Sequence, residues 1–425
     1  MANTMGNGYS FATWTNFIEE SQIRALLKYK VKYYFAGGKP GIMPTDIFAD
    51  IMAELSEWYK KDPKLALEDL NYGPTGGQPW FLKTLAKRLH DVRGIPIDPE
   101  TEADNVSVTN GSQQAIYALL DTLIDPGDVI ITPSPAYLGF LVPAVKLGAR
   151  VITIPTDLDG IIPDEVEKAV KVSEQKFGKT PDMIYVVPDS DNPKGTTLPF
   201  KRRQALFDIS EANDILLVED SAYAEIQFKK NPKPIKTLDK ENNRVAYLGT
   251  SSKEAAVLRV GYSVLPPLVK EQVLKDKGYL DLCTNTLVQR ILDEYYSKHI
   301  DAAMKAGIPQ YQKRYEAMAK AIDESFPAGE RTDPTGGFFI WWQSEDKNFD
   351  AGEFMERVAI PNDVLYVPGA AFYPISGHRL TKDGKDLRES RPEHNTMRLG
   401  YSYASPDIIA EGIAHFGKLL TKELG

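Results

Sequence analysis

Of the 425 residues only one is cysteine, Cys283, and only five are histidine. A lone cysteine excludes a disulfide within the chain and makes a reducing cytoplasm the simpler expected setting. With the histidines scattered and a single thiol, no structural zinc cluster can be assembled. Long apolar runs are missing as well. No segment approaches the roughly 18 apolar residues of a membrane span, and Met1 to Arg24 has no apolar core of signal-peptide length. Positive charge is also short: 50 Lys and Arg stand against 59 Asp and Glu, a formal charge of −9. Neither nucleic acid nor an anionic membrane surface is therefore an expected partner. There is no internal repeat and no low-complexity segment. What remains, 42% apolar and 26% charged residues, is ordinary for a globular chain, and the length calls for one large and one smaller domain.

Residues 12 to 34, with Ile18, Ile23, Leu26 and Leu27 near helical spacing, read as a helix. Phe35-Ala36-Gly37-Gly38-Lys39-Pro40 breaks it. Short apolar runs then alternate with helical segments: Val106 to Val108, Val129 to Thr132, Gly148 to Ile154, Met183 to Val187, Ile215 to Val218 and Val245 to Leu248. That alternation predicts an α/β fold, a mostly parallel sheet flanked by helices. From about residue 300 the texture changes. A helix over roughly Ile308 to Phe326, an aromatic strand Phe338 to Trp342, further short strands and a terminal helix from Pro406 predict a smaller α+β domain. We place the large domain at 50–300 and build the smaller one from 1–49 and 301–425. Residues 376 to 395, polar and charged, read as an exposed loop.

Several groups collect where strands end, the place where open α/β sheets bind ligands. Asp220 follows the Ile215 to Val218 run, and Lys253 follows Val245 to Leu248 in Gly249-Thr250-Ser251-Ser252-Lys253, with Arg259 six residues on. Asn110-Gly111-Ser112-Gln113 opens a helix whose free amides suit an anion. Singly, each has a plainer structural reading. Ser112 caps a helix, Tyr137 packs in a core, Asp220 caps a helix, Arg398 is a strand arginine at the surface, and Arg24 is an exposed helix charge.

Jointly, Asp189-Ser190-Asp191-Asn192-Pro193-Lys194-Gly195, Val218 to Tyr223 and Gly249 to Tyr262, in this order, resemble the fold-type I aminotransferases. The kynurenine/2-aminoadipate branch is the most similar, through Phe35 to Pro40, Tyr72, Ser112-Gln113 and Val367-Pro368-Gly369. The resemblance implies pyridoxal phosphate as cofactor, bonded to the Lys253 amine, which also shuttles the proton. It implies that Asp220 stays ionised beside the ring nitrogen, with Asn192 and Tyr223 on the phenolic oxygen and Tyr137 stacked on the ring. Ser112, Gln113, Thr250, Ser252 and Arg259 are implied at the phosphate, joined by Tyr72 across a homodimer interface. Arg398 is the implied clamp for the substrate carboxylate, with Gly38 lining the substrate pocket and Arg24 near the substrate side chain. The implied reaction is ping-pong transfer of an amino group from an amino acid to a 2-oxo acid such as 2-oxoglutarate. A lyase or oxidase using the same residues is the alternative; a noncatalytic cofactor binder accords less with a chain lacking a basic N-terminal module. Two departures stand out. Lys194 replaces the threonine of the family's N-P-T-G, and the Lys253–Arg259 spacing is six where relatives have seven.

Overall fold

The computed structural model describes residues 10–18, 20 and 22–425, apart from the side chains of 22 and 23. The β-branched runs become strands of one sheet. Its order is Leu387–Glu389, His378–Leu380, Arg150–Asp157, Val129–Ser134, Met183–Val186, Leu216–Asp220, Val245–Thr250, Gly261–Val264 and Val106–Thr109, with Gly160–Ile161 paired to Arg150–Asp157. From His378–Leu380 to Val245–Thr250 every neighbour is parallel; Leu387–Glu389, Gly261–Val264 and Gly160–Ile161 run antiparallel to their partners.

Both faces are covered, which is why the strands read as continuous apolar runs. Side chains alternate between two cores. Ile130, Met183, Tyr185, Val218 and Leu248 pack on one face, and Ile131, Ile184, Val186, Leu217 and Val245 on the other. Each fully buried aliphatic contributes roughly 1.5–3 kcal/mol. The parallel direction places Thr109, Ser134, Val186, Asp220 and Thr250 at one rim. Two residues past Val218, Asp220 faces the same side as Tyr185.

A second, antiparallel sheet has the order Gly329–Arg331, Phe339–Ser344, Thr396–Gly400, Val367–Pro368. It packs with helices Ile300–Ser325 and Pro406–Leu424 in a separate core that also takes Tyr33 and Phe35. No helix among the described residues is long and apolar enough to cross a membrane. Nor do the described residues group three or more His, Cys, Asp or Glu as metal ligands.

Two expectations need correction. Residues 12 to 34 do not form one helix: short turns at Thr13–Asn16, Gln22–Ala25 and Leu26–Lys28 precede a strand, Tyr33–Tyr34, parallel to Val364–Leu365. Tyr33 and Phe35 are buried at a spacing of two, a strand period that the weak helical spacing obscured. Glu19, Ser21 and the Ile23 side chain lie outside the described residues. Within 376 to 395, His378–Leu380 and Leu387–Glu389 form a hairpin that extends the large sheet beside Arg150–Asp157. Only three residues long each, these strands carry too little apolar pattern to signal themselves.

Candidate active site

Along the strand-end rim lies a cavity of about 440 Å³. Lys253, Asp220, Tyr223, Ser112, Gln113, Tyr137, Asn192, Thr250, Ser252, Arg259, Gly38, Arg398 and Arg24 all line it. Tyr72 does not; its side chain is 81% exposed on the single chain.

One end of the cavity is built for an anion. Helix Ser112–Leu123 starts behind Gly111, which offers no side-chain acceptor, so its first amides and its dipole face the space uncapped. Gly111 has φ +74, and a Cβ there would lie 2.2 Å from Arg259 Nη2. The shortened Lys253–Arg259 spacing is absorbed by a 3₁₀ turn, Ala256–Leu258, and a left-handed Arg259 at φ 51. Its guanidinium thus returns to the rim, where Nη1 donates to Ser252 Oγ at 2.9 Å and Thr250 Oγ1 donates to the same oxygen at 2.9 Å.

The other end holds Arg398, buried and without any carboxylate partner among the described residues. Nη1 donates to Asn192 Oδ1 (2.7 Å) and Nη2 to the Ala36 carbonyl (2.8 Å), while Nε has no acceptor. The guanidinium carbon lies 4.1 Å from the Phe339 ring centroid and 4.9 Å from that of Phe372. Burial pulls its pKa down to about 10, which still leaves it cationic at neutral pH. Asn192 is held by its loop. Asp189 bridges buried Arg203 (2.7 Å) and Arg93 (3.1 Å), Asp191 Oδ1 accepts from Thr196 N and Oγ1, and the Asn192–Pro193 peptide is cis. Lys194 leaves this turn intact and sends Nζ away, to Thr156 Oγ1 at 3.1 Å.

Between these ends stand Lys253 and Asp220. Lys253 Nζ lies 4.7 Å from the Tyr223 ring centroid. Desolvation lowers its pKa to about 8 although Asp220 and Glu254 pull it upward. Desolvation likewise raises Asp220 to about 6, opposed by a hydrogen bond from Tyr185 and the charge of Lys253. Tyr185 Oη donates to Asp220 Oδ2 at 2.8 Å, and Phe140 stacks on Tyr185 with centroids 3.8 Å apart. Asp220 Oδ1 is buried with no partner. Tyr137 Oη donates to Gln113 Oε1 at 3.0 Å, and burial pushes its pKa up to about 12.

Residues 45–381 match the family model for aminotransferase class I and II. The chain belongs to this family. It is 33% identical over 96% of its length, and 93% of the relative's, to aromatic-amino-acid aminotransferase 1 of Thermococcus litoralis. Among solved structures it resembles the kynurenine aminotransferase of Pyrococcus horikoshii, with 32% identity, TM-score 0.85 and 98% of each chain covered. It also resembles the alpha-aminoadipate aminotransferase of Thermus thermophilus, with 27% identity, TM-score 0.83, and 97% of this chain and 98% of that one covered. The α/β architecture of the aminotransferase is that of these enzymes, and its cofactor is pyridoxal phosphate.

The residues present fit that cofactor. An orphaned, buried Asp220 Oδ1 needs a donor, as a protonated ring nitrogen provides. The uncapped helix start with Ser252 and Arg259 suits a phosphate. Sequence reasoning about the aminotransferase missed Tyr185, Phe140 and Phe339. Tyr185 is the one polar tip inside the run Met183 to Val187, a signal that was available; Phe339 sat in an aromatic strand that read only as core. Phe339 also explains Gly38, where a Cβ would come within 2.7 Å of its Cζ.

Proposed function

We propose that the enzyme moves the amino group of an aromatic, 2-aminoadipate-like or similar amino acid to a 2-oxo acid such as 2-oxoglutarate, by a ping-pong sequence. One observation carries this reading: a buried, carboxylate-free Arg398 lines the same cavity as Lys253 and Asp220. Named relatives acting on aromatic amino acids, kynurenine and alpha-aminoadipate support the donor class. Bound pyridoxal phosphate supplies an aldehyde that takes up the amino group and a ring that withdraws electrons from the substrate's α-carbon.

The chain's own groups have the following parts. Lys253 bonds the cofactor and carries the α-proton, a task suited to an amine whose pKa lies near 8. Asp220, whose Oδ1 is free, would hold the ring nitrogen, and Asn192 and Tyr223 would hold the phenolic oxygen. Tyr137 covers the ring. Ser112, Gln113, Thr250, Ser252 and Arg259 bind the phosphate. Arg398, with Asn192, grips the α-carboxylate by its planar fork. Gly38 gives the substrate room, and Arg24 stands by its side chain.

Tyr72, exposed on one chain, completes the neighbour's phosphate site in a homodimer. The large unit spans 50–300 and the smaller one 1–49 with 301–425. A reducing cytoplasm suits a chain whose single cysteine, Cys283, has no partner in the chain.

Borohydride reduction of the holoenzyme followed by peptide mapping should place the adduct on Lys253. A panel of amino acids with 2-oxoglutarate should yield stoichiometric glutamate. An adduct on another lysine, or ammonia or peroxide in place of glutamate, would end the transfer reading in favour of a lyase or oxidase. Mixing inactive Tyr72→Ala and Lys253→Ala chains should restore activity through hybrid dimers. No recovery despite proven subunit exchange would show Tyr72 to be wrongly assigned.

A further inference from the structure

A second cleft, of about 580 Å³, opens between the edge hairpin of the large sheet and the small antiparallel sheet. It shares no lining residue with the active-site cavity. Its walls carry six cationic side chains against three glutamates. Much of that charge is uncompensated. Arg331 is paired with Asp323 and Asp333, but Arg379, Arg388, Lys347 and Lys382 have no acidic partner within 4.0 Å among the described residues. Of the glutamates, Glu165 is taken by Lys168 and Glu393 accepts from Gln343.

The hairpin adds a second observation. Arg379 and Arg388 are directly opposed across the antiparallel pair His378–Leu380 and Leu387–Glu389. Like charges in that position repel at a side-chain separation of roughly 5 Å and destabilise the pairing. Arg379 Nε is, in addition, buried without an acceptor. Two cross-strand arginines on one face of the hairpin, one with a buried unfilled donor, can grip a small dianion with more than one planar fork. Lys194 supplies a further cation to the same space. It replaces a neutral threonine of the family turn, and its Nζ contacts only the Thr156 carbonyl and hydroxyl and the Asp157 carbonyl, at 3.1–3.5 Å. No carboxylate lies within 4.0 Å of it among the described residues, although Asp191, Asp157 and Glu393 attract its charge from further off.

We propose that this cleft is a binding site for a small oxyanion of two negative charges, a phosphate group or a dicarboxylate, held by Arg379 and Arg388 with Lys194 as the third cation. Occupancy relieves the Arg379–Arg388 repulsion and satisfies the orphaned Nε. The site is separate from the cofactor phosphate and from Arg398, so its existence does not depend on the donor that the enzyme uses.

The test uses the holoenzyme, in which the cofactor phosphate already fills its own site. Inorganic phosphate and, separately, succinate are titrated at ionic strength held constant with sodium chloride, with heat and tryptophan emission as readouts; Trp341 lines the cleft. Saturable binding of either anion is expected, and which one binds more tightly identifies the ligand type. The double variant Arg379→Ala/Arg388→Ala should weaken that binding at least tenfold. Arg388→Glu gives Arg379 an internal counter-ion. This variant should fold, show no loss of melting temperature in chloride alone, lose the anion-induced rise in melting temperature, and keep its transamination rate in anion-free buffer. Absence of saturable binding by both anions, or equal affinity in wild type and both variants, overturns the proposal.

Discussion

Replacing Tyr185 by phenylalanine removes one oxygen and keeps the ring, its stack on Phe140 and its buried surroundings. The lost O–H is the one that donates to Asp220 Oδ2 at 2.8 Å. A hydrogen bond to a charged group contributes about 1.5–3 kcal/mol, which corresponds to about one to two pKa units. Desolvation already holds Asp220 up to about 6, and Tyr185 is the largest of the effects opposing it. Without that donor the carboxyl's pKa rises further, by about one to two units. The sign follows from the ring nitrogen, whose proton is held by the carboxylate and not by the neutral acid. Wild-type apoprotein should lose affinity for pyridoxal phosphate as the pH falls through about 6, whereas the variant begins that loss about one to two units higher. From the ionised fractions, the variant binds about two- to tenfold more weakly at about pH 7 and about five- to fiftyfold more weakly at about pH 6, and the gap closes above the variant's own pKa. Cofactor titrations of the apoprotein by tryptophan quenching, from about pH 5 to about pH 9, measure this directly. The cofactor's own ionisation cancels in the ratio. A ratio independent of pH would show that the tyrosine acts through packing alone, and a ratio of one would show that it does not act on Asp220.

Three further perturbations test other parts of the site. Arg398→Lys keeps the charge but loses the fork, so KM for the amino donor should rise about ten- to a hundredfold while the cofactor's absorbance stays unchanged; an unaltered KM refutes the clamp. Gly38→Ala places a methyl 2.7 Å from Phe339 Cζ, so kcat/KM should fall more for bulky aromatic donors than for alanine, and equal losses would show that the pocket yields there. Glu254, buried with Oε2 unpartnered, has its pKa raised by desolvation and by Glu225 to about 8, against Arg88 and Lys253. The native state therefore binds the extra proton between the ordinary carboxyl range and about 8, and this residue's contribution to stability declines as pH rises through that window. Glu254→Gln should flatten that decline in urea midpoints, and an unchanged slope would assign the titration elsewhere.

Most of the large sheet was legible because its strands are buried on both faces and read as unbroken β-branched runs between turn signals. The rim was legible for the same reason: parallel strands bring Thr109, Val186, Asp220 and Thr250 to one side whatever the helices do. The expected lining residues meet in one cavity except Tyr72, which is exposed on a single chain. The rest escaped for identifiable reasons. Tyr33 and Tyr34 pair with a strand more than 300 residues away, information that no local window holds. The Arg379–Arg388 hairpin is too short to show a period. Tyr185 became significant only once strand register put its hydroxyl beside Asp220, one strand over.

The backbone of Ala36 meets the Arg398 side chain across 362 positions of chain, and Gly400 N donates to the Phe35 carbonyl at 2.8 Å. At about 5–20 residues per second of synthesis, the glycine-bearing edge of the substrate pocket waits about 20–70 s on the ribosome before its partner exists. During that interval the strand-end rim of the large sheet can already assemble and the substrate clamp cannot. A nascent chain that ends before Arg398 therefore already carries Lys253, Asp220 and the phosphate-end residues and still lacks the guanidinium that closes the substrate end of the cavity.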